Sequence, residues 1–260
     1  MHLTCKICAS PSEKIFNHQV LGKYDVDYFR CPRCAFVFTE EPHWLKEAYQ
    51  SALNDTDTGA VNRNLQLGNM VSMMISGIFN NKATFLDFAG GHGLFVRLMR
   101  DKGYDFRWKD KYAENMFARG FEYENEPLEL ITAFEVFEHF VDPMAEIKGM
   151  LHYSSNILFS TEVIPDKSVP PLDWWYYGFN HGQHISLYAK KTLHYIAGTH
   201  GLNYYHAKNL HLFTRKKINN RRFQLLKKAG LVGLNKIMEL SMKSRITSDH
   251  YDLLKKNNLG

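Results

Sequence analysis

The sequence predicts an α/β fold in which a mostly parallel sheet carries helices on both faces. Between residues 83 and 161, short apolar runs typical of buried strands alternate with segments whose apolar residues recur at helical spacing. Such alternation is typical of parallel sheets covered by helices. The chain has 260 residues, of which 45% are apolar and 23% charged. These values fit one substantial globular α/β domain with a smaller addition.

All four cysteines fall in the first 34 residues, as two C-x-x-C pairs. The pairs are Cys5 with Cys8 and Cys31 with Cys34. Four thiolates on two short loops are the ligand set of a closed, tetrahedral structural zinc site. Strand-like residues over Val20–Arg30 fit part of a hairpin, so we predict a zinc ribbon over residues 1–40. Disulfides or unligated thiols are the alternative, and the lack of an apolar signal-peptide core weighs against disulfides.

The remaining elements follow from the same patterns in chain order. Residues 41–80 are predicted as a helical connector, 81–216 as the α/β domain and 217–260 as a basic helical tail. Predicted strands are Ala83–Phe88, Tyr104–Lys109, Leu128–Phe134, Asn156–Thr161, Leu202–His206 and Leu210–Arg215. Predicted helices of the domain are Gly93–Lys102, Tyr112–Arg119, Met144–His152 and 189–200. Residues 163–186 are predicted to be irregular.

The tail has a strong excess of positive over negative charge. Residues 215–260 contain 12 Lys or Arg against 3 Asp or Glu, in a chain of net charge +5. The basic, amphipathic segment 221–240 predicts either a peripheral contact with a membrane or an extra helix packed on the domain. No apolar run reaches the roughly 20 residues of a membrane-spanning helix, so we expect a cytoplasmic protein.

A turn of small residues between a predicted strand and helix indicates nucleotide binding. The strand Phe85-Leu86-Asp87-Phe88 runs into Ala89-Gly90-Gly91-His92-Gly93, and a helix follows at once. Small residues let the backbone approach a ligand closely. Asp110 ends the next strand, near the offset expected of an acid that binds ribose hydroxyls, with helix capping as the alternative. A dinucleotide oxidoreductase would share this arrangement.

Three segments resemble the class I S-adenosylmethionine-dependent methyltransferases. Asp87 precedes the turn as in the family's E/D-x-G-x-G-x-G pattern, with Ala89 where the first glycine usually stands. Residues 132–143 are similar to the family's E-V-x-E-H signature followed by D-P, and residues 183–188 resemble the segment after the fifth strand. The resemblance implies a Rossmann-like domain with a mostly parallel, seven-stranded sheet, and S-adenosylmethionine as cofactor.

The resemblance also implies roles for single residues. Asp87 would anchor the methionine end of the cofactor, Asp110 would accept hydrogen bonds from the ribose, and Glu135 would face cofactor or substrate. The other predicted cofactor-binding residues are Phe88, Ala89, Gly90, Gly91, Gly93 and Lys111.

Histidine suits the general base that an oxygen or carbon acceptor needs near neutral pH. The candidates are His139, His181 and His184, each with a structural, hydrogen-bonded role as the alternative. His184 is preferred, since the related sugar C-methyltransferases carry a Glu-His pair here whose histidine is implicated as base. Gln183 replaces that glutamate, and a neutral amide cannot raise the basicity of its neighbour.

The paired C-x-x-C motifs resemble the N-terminal segment of methyltransferases that act on sugars or in polysaccharide biosynthesis. A sugar or glycan intermediate is therefore the expected acceptor, with the aromatic residues 174–179 as a lid over it or as a hydrophobic plug. The alternatives are a nucleic-acid or protein methyltransferase that uses the zinc ribbon for recognition, and a non-catalytic binding module. Residues 1–40 have little basic excess, so we do not expect a nucleic-acid partner. The oligomeric state stays open.

Overall fold

A computed structural model describes residues 2–49 and 58–256. Residues 1, 50–57 and 257–260, which include parts of the predicted connector and tail, lie outside the described residues. The described chain forms two compact units. The unit that we name the cysteine unit lies within residues 1–52 and 134–216, and the turn unit lies within 53–133 and 217–260. The predicted division at residues 40, 80 and 216 stays a prediction.

The elements confirm an α/β protein. The strands are β1 His2–Thr4, β2 Pro11–Val20, β3 Tyr24–Arg30, β4 Val37–Thr39, β5 Thr84–Phe88, β6 Asp105–Lys109, β7 Leu130–Phe134, β8 Ile157–Ser160, β9 Val163–Ile164, β10 Ser186–Ala189, β11 Asn203–Ala207 and β12 Leu210–Thr214. The helices are α1 Leu45–Ala48, α2 Ala60–Ile78, α3 Leu94–Asp101, α4 Pro143–Leu151, α5 Lys190–Thr199, α6 Asn220–Leu231, α7 Asn235–Glu239 and α8 Ile246–Lys256. None of these helices has the length and apolar character needed to cross a membrane.

The cysteine unit contains a sheet of six strands in the order β1-β2-β3-β4-β10-β9. The strand predicted over Val20–Arg30 is interrupted, because Leu21 and Gly22 have φ of 54° and 68°. Two successive residues with positive φ are typical of a tight hairpin turn, and this turn joins β2 to β3. Strand β4 pairs antiparallel with β10, which pairs parallel with β9. The cysteine-bearing segment therefore shares one sheet with residues 163–189.

The same unit holds three further strands in the order β11-β12-β8, with both pairs antiparallel. Its aromatic core packs Tyr28 and Trp44 of the N-terminal segment with Tyr176 and Tyr177 of the later loop. All four side chains are buried. Burial of such large rings contributes much of the stability of a unit of this size.

The turn unit is built on the parallel strands β6-β5-β7. In this register Asp87 of β5 lies opposite Trp108 of β6 and Thr132 of β7. The carboxyl ends of β5 and β6 therefore lie side by side, and the turn after β5 and the loop after β6 meet at one edge.

The predicted seven-stranded sheet is not found in the described residues. The strands of the predicted domain form the parallel set β6-β5-β7 and the antiparallel set β11-β12-β8, while β9 and β10 belong to the sheet of the cysteine-bearing segment. Of a third strand between β6 and β7, only an isolated bridge from Trp108 to Glu122 forms. Residues 122–127 read Glu-Tyr-Glu-Asn-Glu-Pro. Three carboxylates do not suit the buried strands of a parallel sheet, and proline lacks the amide hydrogen that such a strand donates.

The helix predicted over Tyr112–Arg119 is wrong. The Asp110 carboxylate accepts hydrogen bonds from the backbone N–H groups of Tyr112 and Ala113. The Asn115 amide oxygen accepts one from Ala118, and the His92 carbonyl accepts two more from residues 116 and 117. Side chains and a distant carbonyl thus take the donors that a helix would use internally.

The basic tail packs on the turn unit as helices. Helix α6 lies against α2, where a Cβ added to Gly230 would lie 2.6 Å from the Met70 Cα. Helix α8 is fixed by Asp249, whose Oδ1 accepts from Arg100 Nη2 at 2.7 Å. Both side chains are buried, so this ion pair ties the tail to α3.

Candidate functional site

The turn after β5 brings the backbone close to two side chains. Ala89, Gly91 and Gly93 have φ of 54°, 53° and 85°. A Cβ at Gly90 would lie 2.7 Å from the Asp87 Oδ2 and 3.1 Å from the Trp108 Cδ1. Only glycine fits at position 90, and the turn forms a shallow cradle lined by backbone.

Asp87 is buried beneath this turn, and its Oδ1 accepts a hydrogen bond from the Thr132 hydroxyl at 2.7 Å. Burial raises the pKa of Asp87 to about 7. A cation beside this carboxyl would favour its ionised form.

Asp110 connects the turn to the loop after β6. Its Oδ2 accepts from Gly91 N–H at 2.9 Å, and its Oδ1 accepts from the N–H groups of Tyr112 and Ala113 at 2.7 and 2.8 Å. The carboxylate thus caps a loop and not a helix. Oδ1 already accepts two hydrogen bonds, whereas Oδ2 accepts one and has one further lone pair, so Oδ2 can still accept a hydrogen bond from a ribose hydroxyl.

Of the other predicted cofactor residues, Phe88 ends β5 opposite Lys109. Gly93 stands at the N-terminus of α3. The exposed Lys111 has its Nζ 5.1 Å from the Tyr112 ring centroid. The turn unit therefore brings eight of the nine predicted cofactor residues together, while Glu135 belongs to the cysteine unit.

Sequence reasoning missed Trp108 and Thr132. Trp108 Nε1 donates to the Gly91 carbonyl at 2.8 Å, and Thr132 holds Asp87. Both are register partners of Asp87, so the signal lay in strand pairing and not in a motif.

The three predicted catalytic histidines come together in the cysteine unit. The ring centroid of His184 lies 5.1 Å from that of His139 and 4.7 Å from that of His181. His184 Nδ1 lies 2.6 Å from the Tyr176 carbonyl oxygen. Because a carbonyl only accepts, Nδ1 carries the proton and Nε2 keeps a free lone pair. His184 is therefore oriented as a proton acceptor.

The other two histidines have different hydrogen bonds. His139 Nδ1 donates to the Gln183 carbonyl at 3.1 Å. His181 Nδ1 accepts from the Gln183 N–H at 3.2 Å, so its Nε2 carries the proton in the neutral ring. Burial lowers the pKa of His139 to about 4 and that of His184 to about 3. Both rings are neutral near pH 7.

Glu138 is fully buried beside these rings and was not assigned a role from sequence. Its two carboxyl oxygens have no hydrogen-bond partner of good geometry in the described part of the chain. Burial, and then the nearby Glu135, raise the pKa of Glu138 to about 8. One ligand atom each from Glu138, His139 and His184 lie within 4.8 Å of one another. The group can exchange protons, and its donors are also of the kind that bind divalent metals.

Glu135 adopts φ of 54°, an uncommon conformation for a residue with a side chain. Its N–H donates to Ser160 Oγ at 2.9 Å, and the same hydroxyl donates to Glu135 Oε1 at 2.5 Å. Backbone strain of this kind is common at functional sites, and here a double contact with Ser160 stabilises it.

The four cysteine side chains are buried and form one cluster. The Sγ atoms of Cys5 and Cys34 lie 3.6 Å apart, those of Cys8 and Cys31 lie 3.4 Å apart, and all four lie within 4.8 Å. Tetrahedral zinc–sulfur bonds of about 2.3 Å place the sulfurs roughly 3.8 Å apart, so the donor set fits zinc.

The two cysteine loops repeat one backbone pattern. In the first, Ala9 N–H donates to the Cys5 carbonyl; in the second, Ala35 N–H donates to the Cys31 carbonyl. Ala9 and Ala35 both have positive φ. Two equivalent loops thus aim two sulfurs each at one point, as the sequence predicted.

The N-terminal segment also holds the loop that carries His184. Trp44 Nε1 donates to the Gly182 carbonyl at 2.8 Å, and Leu21 N–H donates to the Phe179 carbonyl at 2.8 Å. Thr192, at the start of α5, donates to the Cys34 carbonyl at 2.8 Å. The position of His184 therefore depends on the cysteine-bearing segment.

The aromatic residues of segment 174–179 differ in their burial. Tyr176 and Tyr177 are buried in the core, as the plug interpretation expects, and Trp174 packs against them. Trp175 is 70% exposed. Its ring centroid lies 5.2 Å from that of Tyr176, which in turn lies 4.6 Å from that of His184.

Comparisons with known proteins address the family directly. A sequence profile described as a methyltransferase domain matches residues 66–207. A search of curated proteins finds no match. Magnesium protoporphyrin IX methyltransferase from Synechocystis is similar in structure, at 12% identity, 65% coverage of this chain, 90% of that chain and a TM-score of 0.44. Human N-acetylserotonin methyltransferase is 14% identical, with coverages of 67% and 66% and a TM-score of 0.43.

The profile match carries the assignment, because it spans more than half of the chain and includes the turn, Asp110, Glu135 and all three histidines. The chain belongs to the methyltransferase domain family, and it is an S-adenosylmethionine-dependent methyltransferase.

Proposed function

We propose that the protein methylates a small molecule, and that the acceptor is a sugar or a glycan intermediate. The observation that carries the proposal is the orientation of His184. Its Nδ1 is held by the Tyr176 carbonyl, which leaves Nε2 to accept a proton. S-adenosylmethionine, when bound, supplies a methyl group on a positively charged sulfur. His184 takes the proton that the acceptor atom releases as it bonds to the methyl carbon, while the electrons of the carbon–sulfur bond stay on sulfur.

Glu138 supplies the carboxylate that Gln183 lacks. A neutral His184 is a weak base because burial lowers its pKa to about 3. Glu138 offers an oxygen within 4.8 Å of the ring nitrogen. Because burial raises the pKa of Glu138 to about 8, this carboxyl is mostly protonated near pH 7 and raises the basicity of the imidazole only as it ionises at higher pH. Glu138 is thus a positioning residue that acts through His184 in mildly alkaline solution.

The exposed Trp175 supports a sugar as acceptor. The face of an indole ring is apolar and suits the C–H face of a sugar ring. Trp175 is linked through Tyr176 to His184 by successive ring contacts. The cysteine segment is similar in layout to that of sugar methyltransferases, and this similarity also supports a sugar acceptor. A nucleic-acid or protein acceptor is the second candidate.

We further propose that Asp87, the Ala89–Gly93 turn and Asp110 bind the cofactor, and that the four cysteines hold one structural zinc. The hydrogen bond with the Cys34 thiol lowers the pKa of Cys5 to about 5, so one thiolate is present near neutral pH. A cytoplasmic location stays a prediction.

Calorimetry tests the cofactor site. We expect the zinc-loaded protein to bind S-adenosylmethionine, and Asp110→Ala to weaken binding about tenfold, because a ribose-binding carboxylate is lost. Asp252→Ala, an exposed acid of α8, is the matched control and should bind as the native protein does. Native affinity in Asp110→Ala would contradict the assignment.

An acceptor screen tests the substrate class. We expect S-adenosylhomocysteine to form with nucleotide-linked sugars or glycans and not with DNA, RNA or peptides. Turnover with only the latter would support the second candidate.

With the true acceptor, we expect His184→Ala to lower kcat by roughly 10²–10⁴-fold without a change in cofactor affinity. The exposed His152 gives the control His152→Ala, which should keep full turnover. Full turnover in His184→Ala would remove His184 as the base.

A further inference from the structure

Segment 225–240 of the turn unit exposes an unusual number of large apolar side chains. We name this set the apolar patch; it consists of Leu225, Leu231, Val232, Leu234, Ile237, Met238 and Leu240. Val232 is 74% exposed and Leu240 86%. Single exposed apolar residues are ordinary, but seven of them within one segment of the chain indicate a surface that contacts something else.

The apolar patch is not a core face left half-packed. Helix α6 packs on α2 through its other side, where Phe223 is fully buried and Gly230 lies against the Met70 backbone. Leu226 fills the space beside Gly77 on the same side. The helix is therefore apolar on two faces, of which one is used within the unit.

Basic side chains alternate with the apolar patch along the same segment. Arg221, Lys228, Lys236 and Lys243 are all exposed. The only acid between residues 221 and 243 is Glu239, whose Oε1 accepts from the Lys102 ammonium at 2.8 Å. The exposed side chains of segment 225–240 are thus apolar or positively charged.

We propose that the apolar patch docks the enzyme on an anionic lipid surface. Leucine, isoleucine and valine side chains would enter the boundary between headgroups and acyl chains, and the lysines would contact lipid phosphates or carboxylates. The exposed lysines of this segment argue against a protein partner, because lysine is depleted at protein interfaces while aromatic residues and arginine are enriched. A second copy of the chain would bring two positive surfaces together. The proposal does not depend on the identity of the acceptor.

Vesicle sedimentation tests the proposal with the full chain. We expect binding to phosphatidylcholine vesicles that contain about one-third phosphatidylglycerol, weaker binding to pure phosphatidylcholine, and a loss of binding as salt rises. The double variant Leu231→Ser/Leu234→Ser should bind the anionic vesicles at least tenfold more weakly. Lys228→Glu/Lys236→Glu should weaken binding by a similar factor, since each basic residue near the surface contributes substantially.

The matched control is Val61→Ser/Leu65→Ser, which removes two exposed apolar side chains of α2 in the same unit. It should bind vesicles as the native protein does. All three variants change exposed side chains, so their thermal unfolding and cofactor affinity should match the native protein. Equal binding to neutral and anionic vesicles, or native binding by Leu231→Ser/Leu234→Ser, would overturn the proposal. So would a dimer in sedimentation velocity that this double variant dissolves.

Discussion

Ala89 occupies a backbone conformation that suits glycine. Its φ of 54° lies in the left-handed region, which costs a residue with a Cβ about 1–2 kcal/mol. The family pattern has glycine at this position, and the structure gives the physical reason. The close approach to Asp87 and Trp108 is made by the next residue, Gly90.

We therefore expect Ala89→Gly to stabilise the protein by roughly 0.5–1 kcal/mol, since the relief of strain exceeds the added entropy of the unfolded glycine. The same substitution at Ala229, inside α6, should destabilise by about 1 kcal/mol. Urea unfolding of the two variants checks the opposite signs. A loss of stability in both would show that Ala89 is not strained.

Glu138 should make stability fall as pH rises. Burial raises its pKa to about 8 in the folded protein, whereas the unfolded chain ionises near its ordinary value. The stabilising contribution is therefore complete below the ordinary value of 4.5 and is lost progressively as pH rises from there to about 8. Within this window the slope is about 1.4 kcal/mol per pH unit for one proton.

Glu138→Gln keeps the size of the side chain and removes the titration. Chemical unfolding of both proteins between pH 5 and pH 8 should give a flatter pH dependence for the variant. Identical profiles would mean that Glu138 is ionised in the folded protein. The variant should also lower kcat and shift the pH profile of turnover, because Glu138 acts through His184.

Among the elements, the contact of α6 with α2 requires a glycine at one position of α6. Gly230 stands where a Cβ would lie 2.6 Å from the Met70 Cα and 2.9 Å from the Asn69 carbonyl oxygen. Backbone cannot move aside as a flexible side chain can. The closeness of the two helices therefore requires glycine here.

Gly230→Ala should destabilise the protein by about 1–3 kcal/mol through overpacking. Gly198 in α5 is the matched control, because an added Cβ there meets nothing within 4 Å. Gly198→Ala should stabilise by roughly 0.5–1 kcal/mol through helix propensity. Thermal unfolding of both variants distinguishes the steric effect from propensity.

Apolar periodicity was sufficient for most elements. Strands β5 to β8 and helices α3 to α5 lie within a few residues of their predicted positions. The helix predicted over residues 112–119 fails for a local reason, because Asp110 and Asn115 accept hydrogen bonds from the backbone N–H groups that a helix would use. Such contacts produce no periodic signal, so the hydrophobic pattern alone could not reveal them.

At the scale of the molecule, the motifs predicted the turn and the histidine group but not the contacts that position their residues. The turn and the histidines follow from family patterns. The contacts of Trp108, Thr132 and Glu138 depend on strand register and on the path of the loop before β10. Those are long-range consequences of folding, and a single sequence carries no direct record of them.

Removal of zinc should disturb the site that contains His184. Cys31→Ser breaks the proposed ligand set, and β4, which follows it, pairs with β10, whose first residue Ser186 lies two residues after His184. We expect a fall in Tm of roughly 10 °C from the lost metal binding, together with lower turnover. Chelation of the native protein should have the same effect. Added zinc should restore the chelated native protein but not the Cys31→Ser variant. Unchanged Tm after complete zinc removal would contradict a structural role.

The pairing of β4 with β10 also matters for any shortened version of the chain. A fragment without residues 1–49 would leave Ser186–Ala189 without β4, with the backbone groups of one edge unpaired and the buried Leu187 near water. Uncovered edge strands recruit strands of other chains. We expect such a fragment to aggregate edge to edge, because the cysteine-bearing segment no longer covers this strand.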